Sequence, residues 1–429
     1  MTRRLLVPVP RGLVVLLAAG VAVLTFARTV GHLTWPYADW VAVSADSRQA
    51  LMLAGPWAAV WAAWCSSRFS GARSIMCPAS SVRSGPPVVH RQLRVLVAGA
   101  LSGWALGMLP SLAITARDAQ AGTPDLLVIL GAAVALAAYA CLGYAVGIVV
   151  PSTGASAVAL ILSLLPGLAA DSLGAVVAPV WTFDVVAGQD ENPVVAVVRV
   201  LFFLSVALSL ALASGLWLRG RGFSPGASFV QGVALLAVPV VLAVLSSSAP
   251  PPVLREDHPP RTCARTDGVE VCVHAARAPV LGPLTQAVAD LMTVMGNARP
   301  PRQVVDAALW DESGSGTVTV SLQLQDGAGW RRAAIQDMAW QLSGAAACPF
   351  TSASGVLTDP AQLDASAVSG GVAVWMARQA GVGSPVSNAP DAMAVADRLD
   401  RASPPAVQAF LARHSEALQD CRASSSMLP

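Results

Sequence analysis

Long apolar runs without charge lie between residues 12 and 247, and they constrain the fold of this chain more than any other feature. A helix needs about 20 apolar residues to cross a bilayer, and about 17 to 25 are tolerated. Five runs meet that length, and two shorter ones contain proline. We therefore predict seven membrane-spanning helices, at residues 12–30, 49–65, 95–115, 126–150, 155–172, 195–218 and 228–247.

The arginines indicate which ends of these helices face the cytoplasm, because short cytoplasmic loops are rich in basic residues. With the N-terminus inside, the inner segments hold ten arginines and no acidic residue, and all eight acidic residues before position 248 lie on or beside outer loops. We therefore expect a cell-membrane protein with a cytoplasmic N-terminus. Because seven is an odd number, residues 248–429 are expected outside the cytoplasm.

The first apolar run has an alternative interpretation as a cleaved secretory signal peptide, since Arg3, Arg4 and Arg11 precede it. The run is long for such a peptide, and the stretch TFARTVGHLTW is a poor cleavage site. Removing this span would also place every later loop on the opposite side of the membrane. We therefore expect residues 12–30 to remain as the first spanning helix.

The predicted fold is an α-helical membrane bundle of about seven transmembrane helices followed by a small α+β extracytoplasmic domain. The bundle takes residues 1–247, a Pro-rich linker takes 248–262, and the outer domain takes 263–429. Alternating polarity predicts strands at VEVCVHA and TVTVSLQL, with QVVDAALW as a third. Apolar residues at helical spacing predict two helices, one from Leu281 to Met295 and one from Val407 to Cys421.

The outer domain contains four cysteines, Cys263, Cys272, Cys348 and Cys421. Thiols outside the cytoplasm tend to be oxidised, so the even number suits two disulfides, for which three connectivities exist. We favour Cys263 with Cys272 and Cys348 with Cys421. A zinc site that adds His258 and His274 is the alternative, although its spacing matches no closed C-x-x-C pair.

The sequence contains no recognisable catalytic constellation, since H-E-x-x-H and G-x-S-x-G are both absent and only five histidines occur. The chain also has no lysine, so it can form neither a Walker-type phosphate loop nor a lysine Schiff base. We therefore expect no enzymatic activity, cofactor, metal or nucleic-acid partner. His274 and the turn pair Asp311 and Glu312 are interpreted as structural residues.

Glycines recur at four-residue spacing in two predicted spans, at Gly99, Gly103 and Gly107 in the third and at Gly143 and Gly147 in the fourth. This spacing gives flat helix faces on which another helix can pack closely. Packing within the chain is favoured, and a homodimer seam is the alternative.

No charged residue is expected near the middle of a predicted span, and Arg199 is placed near the outer end of the sixth span.

Three features of the first six spans together resemble an ABC-2-type exporter permease. They are the arginine-rich inner segment 66–94, the stretch CLGYAVGIVVPSTGASAVALILSLLPGL between the fourth and fifth spans, and the apolar outer loop LGAVVAPVWTFDVV. The resemblance implies that the inner segment contacts a separate ATPase and that the outer loop re-enters the membrane. The contact residues would then be Arg68, Arg73, Arg83, Arg91 and Arg94.

The seventh span and the large outer domain depart from the permease pattern, and the whole chain resembles actinobacterial multi-pass membrane proteins with such a domain. We expect a permease-like subunit of an exporter that moves a peptide, lipid or drug-like molecule. Its expected partners are a cytoplasmic ATPase and membrane lipids, with a second copy in a homodimer as the alternative to packing within one chain. A membrane-anchored extracytoplasmic binding or sensory module is the alternative.

Overall fold

The computed structural model of the protein divides into two compact units. Unit 1 is Met1–Leu33 and Asp39–Glu256, and unit 2 is Thr34–Ala38 and Asp257–Pro429. The structure describes residues 9–35, 37–69, 86–150, 152, 154–168, 177–180, 187–220, 251–296, 298, 300–309, 316–322, 329–348, 351–352, 355–356, 359–382 and 389–429.

Unit 1 consists mainly of apolar helices. They are α1 (Arg11–Thr29), α2 (Trp40–Gln49), α3 (Leu51–Phe69), α4 (Pro86–Asp118), α5 (Leu126–Val149), α6 (Ala155–Leu168) and α7 (Pro193–Gly220). Short strands β1 (Gln189–Glu191) and β2 (Val253–Arg255) pair antiparallel. Many large apolar side chains face outward, as lipid-facing residues do, among them Val15, Val23, Leu106 and Leu109.

Four helices of the described chain are long and apolar enough to cross a membrane: Arg11–Leu33, Pro86–Asp118, Leu126–Val149 and Pro193–Leu218. These correspond to four of the predicted spans. Helix α3 has 19 residues, but tryptophans and Arg68 lower its mean hydropathy, and α6 has only 14 residues. The predicted span 228–247 lies outside the described residues.

The helix directions in unit 1 follow from which residues touch. Helices α1 and α4 run parallel, since Gly99 lies against Val14 and Gly107 lies against Ala22. Helix α3 runs opposite to α1, because the Trp61 indole donates to the Leu13 carbonyl at 3.0 Å near the start of α1. Helix α5 is parallel to α3.

The two ends of unit 1 differ in charge. We call the end that holds Arg11, Arg68 and Arg94 the basic end. The opposite end, which holds Asp39, Asp125 and Glu191, is called the acidic end.

Acidic side chains begin two of the helices at the acidic end, α2 and α5. The Asp39 carboxylate accepts from the Val41 amide before α2, and the Asp125 carboxylate accepts from the Leu127 and Val128 amides before α5. Each satisfies backbone donors that a helix leaves unpaired at its N-terminus. The acids that mark outer loops in the sequence therefore also define where these helices begin.

Unit 2 contains a mixed four-stranded sheet in the order β3 (Arg261–Thr266), β4 (Val269–His274), β5 (Gln303–Asp306) and β6 (Thr317–Val320). Strands β4, β5 and β6 are parallel, and β3 is antiparallel to β4. Asp267 and Gly268 connect β3 to β4 with positive φ angles of 48° and 79°. Both residue types tolerate that conformation, which a two-residue hairpin requires.

The helices of unit 2 cover the sheet. They are α8 (Leu281–Met295), α9 (Trp330–Leu342), α10 (Pro360–Gln379), α11 (Pro390–Arg401) and α12 (Pro404–Gln419), with a small β7 (Thr351–Ser352) and β8 (Gly355–Val356) pair. Helix α8 connects the parallel strands β4 and β5, the usual role of a helix in a parallel crossover. Val271, Leu284, Val304 and Ile335 are buried together in the core.

The structure confirms the predicted strands and both predicted helices of unit 2, but it corrects the predicted linker 248–262. Part of that segment forms β2, which pairs with β1, and the sheet of unit 2 begins at Arg261. A second difference is that Thr34–Ala38, just after the first helix, belongs to unit 2, where Trp35 and Tyr37 join the core cluster. Local sequence patterns carry no signal for such distant pairings.

Candidate functional site

Among the described residues of the predicted contact segment 66–94, two arginines are exposed at the basic end of unit 1. Arg68 lies in the last turn of α3 with its guanidinium 4.6 Å from the ring centre of Trp64, and Arg94 is exposed on α4. Arg91 is half-buried. Because this surface is positive, it suits a partner with acidic side chains. The predicted contact residues Arg73 and Arg83 lie outside the described residues.

Helix α4 begins well before the predicted span at 95–115. Its 33 residues correspond to about 50 Å at 1.5 Å per residue, whereas the hydrocarbon core is about 30 Å thick. The extra length lies mainly at the N-terminal side, where Gln92 is buried and accepts a hydrogen bond from the Tyr144 hydroxyl of α5. That bond fixes the start of α4, with Arg91 and Arg94, against the bundle.

A buried charge cluster at the acidic end joins three elements. Glu191, at the end of β1, accepts from Arg48 of α2 at 2.7 Å and from Arg199 of α7 at 2.9 Å. All three side chains are at most 4% exposed. Burial lowers the pKa of the Arg48 guanidinium, because its desolvation outweighs the attraction of Glu191. Arg199 lies six residues after the start of α7, near the end of that helix where the sequence places it, and its charge is paired within the bundle.

A second ion pair lies beside this cluster. The buried His32 ring approaches the Asp46 carboxylate at 2.6 Å, and Arg28 reaches the same carboxylate at 3.2 Å. Ser44 of α2 also accepts from the Asp125 backbone amide at 3.1 Å. Helix α2 is thereby attached to α1, α5 and α7, so that movement of any one of these helices at the acidic end disturbs ionic or polar contacts.

The described part of the loop before α7 packs inside the bundle. Ala178 and Val180 are buried, and Val180 belongs to the same core cluster as the long helices, with Val177 packed against it. An outer loop lying in water would expose these side chains. The apolar residues in the described part of LGAVVAPVWTFDVV, 177–180, therefore pack against helices.

The five glycines singled out in the sequence lie at contacts between helices of the same chain. An added Cβ would lie 2.7 Å from the Val14 side chain at Gly99, 2.2 Å from the Ala18 carbonyl at Gly103 and 2.6 Å from the Ala22 carbonyl at Gly107. Gly143 and Gly147 pack on α3 in the same way, 1.9 Å from the Ala59 carbonyl and 2.0 Å from the Ser66 hydroxyl. These faces are occupied within one chain.

The four cysteines of unit 2 lie in two pairs at disulfide distance. Cys263 faces Cys272 across β3 and β4, and Cys348 lies beside Cys421 with 5.2 Å between Cα atoms. This is the pairing favoured from the sequence. Among the described residues, the cysteine cluster that could hold a metal consists of Cys263, Glu270 and Cys272 and includes no histidine. The His274 ring instead accepts from the Ala276 amide.

Unit 2 also contains a buried ion pair that sequence reasoning missed. Arg277 donates to Asp306 at 2.6 Å, and the Asp306 side chain is fully buried. Asp306 also accepts from the Ala308 amide at 3.1 Å. The Tyr37 ring lies 5.5 Å from the Arg277 guanidinium, an arrangement that suits a cation–π contact. These contacts connect the segment after α1 with the end of β5.

Comparison of the chain with protein families, with curated proteins and with solved structures finds no match.

Proposed function

We propose that this chain is the permease-like subunit of an exporter that lacks its own ATPase and is driven by a separate cytoplasmic ATPase. The observation that carries the proposal is the burial of residues 177–180 among the membrane helices. An outer loop that turns back into the bundle is what the resemblance to ABC-2-type permeases implies. A simple membrane anchor has no need for such a loop.

The path of the chain supports the proposed seven crossings. Helix α7 runs from the acidic end to the basic end, where Gly215 lies against Pro86 at the start of α4. By Val253 the chain is back at the acidic end, since β2 pairs with β1 there. With the proposed span 228–247 counted as the seventh crossing, the N-terminus and residues 257–429 would lie on opposite sides of the membrane.

The segments that make up unit 2 also support placing this unit on the side of the membrane opposite to the N-terminus. Residues 34–38 and 257–429 form one unit, and a bilayer cannot separate segments that pack in one core. The two cysteine pairs suit an oxidising compartment. We therefore place unit 2 outside the cytoplasm and the basic end inside, where an ATPase can reach Arg68 and Arg94.

Affinity purification from the native host in mild detergent tests this function. A nucleotide-binding protein should co-purify with the tagged full chain, and its ATPase rate should change when the chain is present. Replacing both exposed arginines, in Arg68→Glu with Arg94→Glu, should reduce the recovered partner by about tenfold, the effect of about 1.4 kcal/mol of lost binding. Three arginines of the inner segment remain to maintain orientation.

The matched control is Arg117→Glu, which reverses an exposed arginine at the opposite end of α4. It should leave partner recovery unchanged. If no nucleotide-binding protein co-purifies with the unaltered chain, or if the control and the double variant behave alike, the permease proposal fails. The anchored binding module would then be the better account.

A further inference from the structure

A cleft of about 1070 Å³ opens in unit 2, and all of its lining residues belong to that unit. Its walls come from the β3–β4 turn, the segment before β5, the start of β6, the residues after α9, and α12. Sites that hold small ligands have volumes of roughly 300 to 1,000 Å³. The cleft is therefore large enough for a molecule of several residues.

The floor of the cleft is apolar and adaptable. Met295, Val318, Met376 and Leu418 line it, and each is at least nine-tenths buried. Methionine has a flexible, polarisable side chain that fits apolar groups of different shape. The floor thus suits an aliphatic or aromatic side chain without demanding one shape.

The rim of the cleft carries one charge of each sign. Arg302 is exposed, and its backbone amide donates to the Gly316 carbonyl at 2.8 Å, which holds it beside β6. Glu416 is exposed on α12. Within the described part of the chain neither side chain makes an ion pair. A ligand with both a carboxylate and an ammonium group would match this rim.

The edge strand β6 adds a peptide-like contact. Backbone bonds from Gln303 to Gly316 and from Ala307 to Val320 show that the even-numbered residues of β6 face β5. The N–H and C=O groups of the odd-numbered residues therefore face the open edge. The Gln341 side chain hydrogen-bonds to both outward backbone groups of Thr319, accepting from its N–H and donating to its C=O.

The Asp337 carboxylate accepts from the next outward amide, that of Ser321, at 2.8 Å. Thr317 lines the cleft, and no described side chain occupies its outward groups. One backbone donor and one acceptor of β6 therefore remain available inside the cleft, in the arrangement that pairs with an extended peptide.

Both cysteine pairs hold the walls of this cleft. Gly268 lies in the turn between Cys263 and Cys272, and Gly344 and Ala347 precede Cys348, which joins the end of α12 through Cys421. The first cross-link stiffens the hairpin that carries the β3–β4 turn, and the second ties the residues after α9 to the end of α12. A fixed site loses less conformational entropy when a ligand binds.

We propose that this cleft binds a short peptide with free ends. Its carboxylate pairs with Arg302, its ammonium group with Glu416, one of its amides with Thr317, and an apolar side chain occupies the methionine floor. A fatty acid would satisfy the floor and Arg302 but would leave the backbone groups of Thr317 without partners. The site lies in unit 2 and does not depend on whether unit 1 works with an ATPase.

Equilibrium dialysis of the full chain in nanodiscs tests this site. The probes are a tetrapeptide library with Leu, Met, Val or Phe at one position, the same library with amidated C-termini, and dodecanoate. We expect retention of free-ended tetrapeptides and about tenfold weaker retention of the amidated library, because a charge-assisted hydrogen bond is lost. Arg302→Gln should weaken the retention of free-ended peptides by the same factor. It should also remove the difference in retention between free-ended and amidated peptides.

Thr317→Pro removes one donor from an edge strand, where proline is tolerated, and should also weaken retention. Arg413→Gln is the matched control, because Arg413 is exposed on α12 but does not line the cleft. Intact disulfides and an unchanged thermal midpoint establish that each variant is folded. The proposal is overturned if no tetrapeptide is retained at about 1 mM, if both variants retain peptides like the control, or if only dodecanoate is retained.

Discussion

The carboxylate of Glu191 and the guanidinium of Arg199 form a 2.9 Å ion pair that is almost completely shielded from solvent. Arg199 lies six residues after the start of α7, about 9 Å along the helix axis. A charge at that depth is costly unless it is paired. Arg48 shares the same carboxylate, so α2, β1 and α7 are connected through one acidic side chain.

We predict that Glu191→Gln destabilises unit 1 by about 3 to 5 kcal/mol, because it leaves two buried guanidinium groups without their shared carboxylate. Thermal unfolding in detergent, followed by tryptophan fluorescence, measures the effect. The control is Asp118→Asn, which alters an exposed residue paired with Arg117 and should leave stability essentially unchanged. Equal effects of the two variants would contradict the cluster's structural role.

The close packing of α3 on α5 gives a second prediction. Gly143→Ala places a Cβ 1.9 Å from the Ala59 carbonyl, where the backbone has to move. We expect a loss of about 1 to 3 kcal/mol, the usual cost of overpacking. Gly167→Ala is the control, since nothing lies within 4 Å of its added Cβ. In that helix alanine should be neutral or stabilising by up to about 1 kcal/mol. If Gly143→Ala instead stabilised the protein, the close contact between Gly143 and Ala59 would be contradicted.

The cysteine pairs should be oxidised in the mature protein. Peptide mapping without reductant is expected to find no free thiol at Cys263, Cys272, Cys348 or Cys421. Replacing Cys348 and Cys421 with alanine should cost about 4 kcal/mol, since the cross-link closes a loop of 73 residues. Removing Cys263 and Cys272 should cost about 2.6 kcal/mol for a separation of nine. Stoichiometric zinc on reduced cysteines would replace the disulfide interpretation.

Much of the architecture could be predicted because its signals are local. Apolar runs identified α1, α4, α5 and α7, and alternating residues identified β4, β5 and β6. Helix α2 was missed because its polar residues give no apolar periodicity. Its ten residues, Trp40–Gln49, are held instead by Arg48, Asp46 and an N-terminal Asp39.

The buried contacts could not be predicted because they join distant residues. Arg48 and Glu191 are 143 positions apart, and Arg277 and Asp306 are separated by α8. One local signal did exist, namely Arg199 in an otherwise apolar run that begins just after Glu191, its partner eight residues earlier. A charged residue in such a run indicates a buried partner.

Sidedness is the claim on which the rest of the account depends, and reporter fusions test it most directly. Alkaline phosphatase fused after Ser80, Gln120, Phe223 or Pro300 is active only outside the cytoplasm. We predict activity after Gln120 and Pro300 and none after Ser80 and Phe223, because we propose that the basic end faces the cytoplasm and that unit 2 lies outside. Activity after Ser80 or Phe223, or its absence after Pro300, would contradict the proposed topology, the oxidised cysteines and the ATPase contact together.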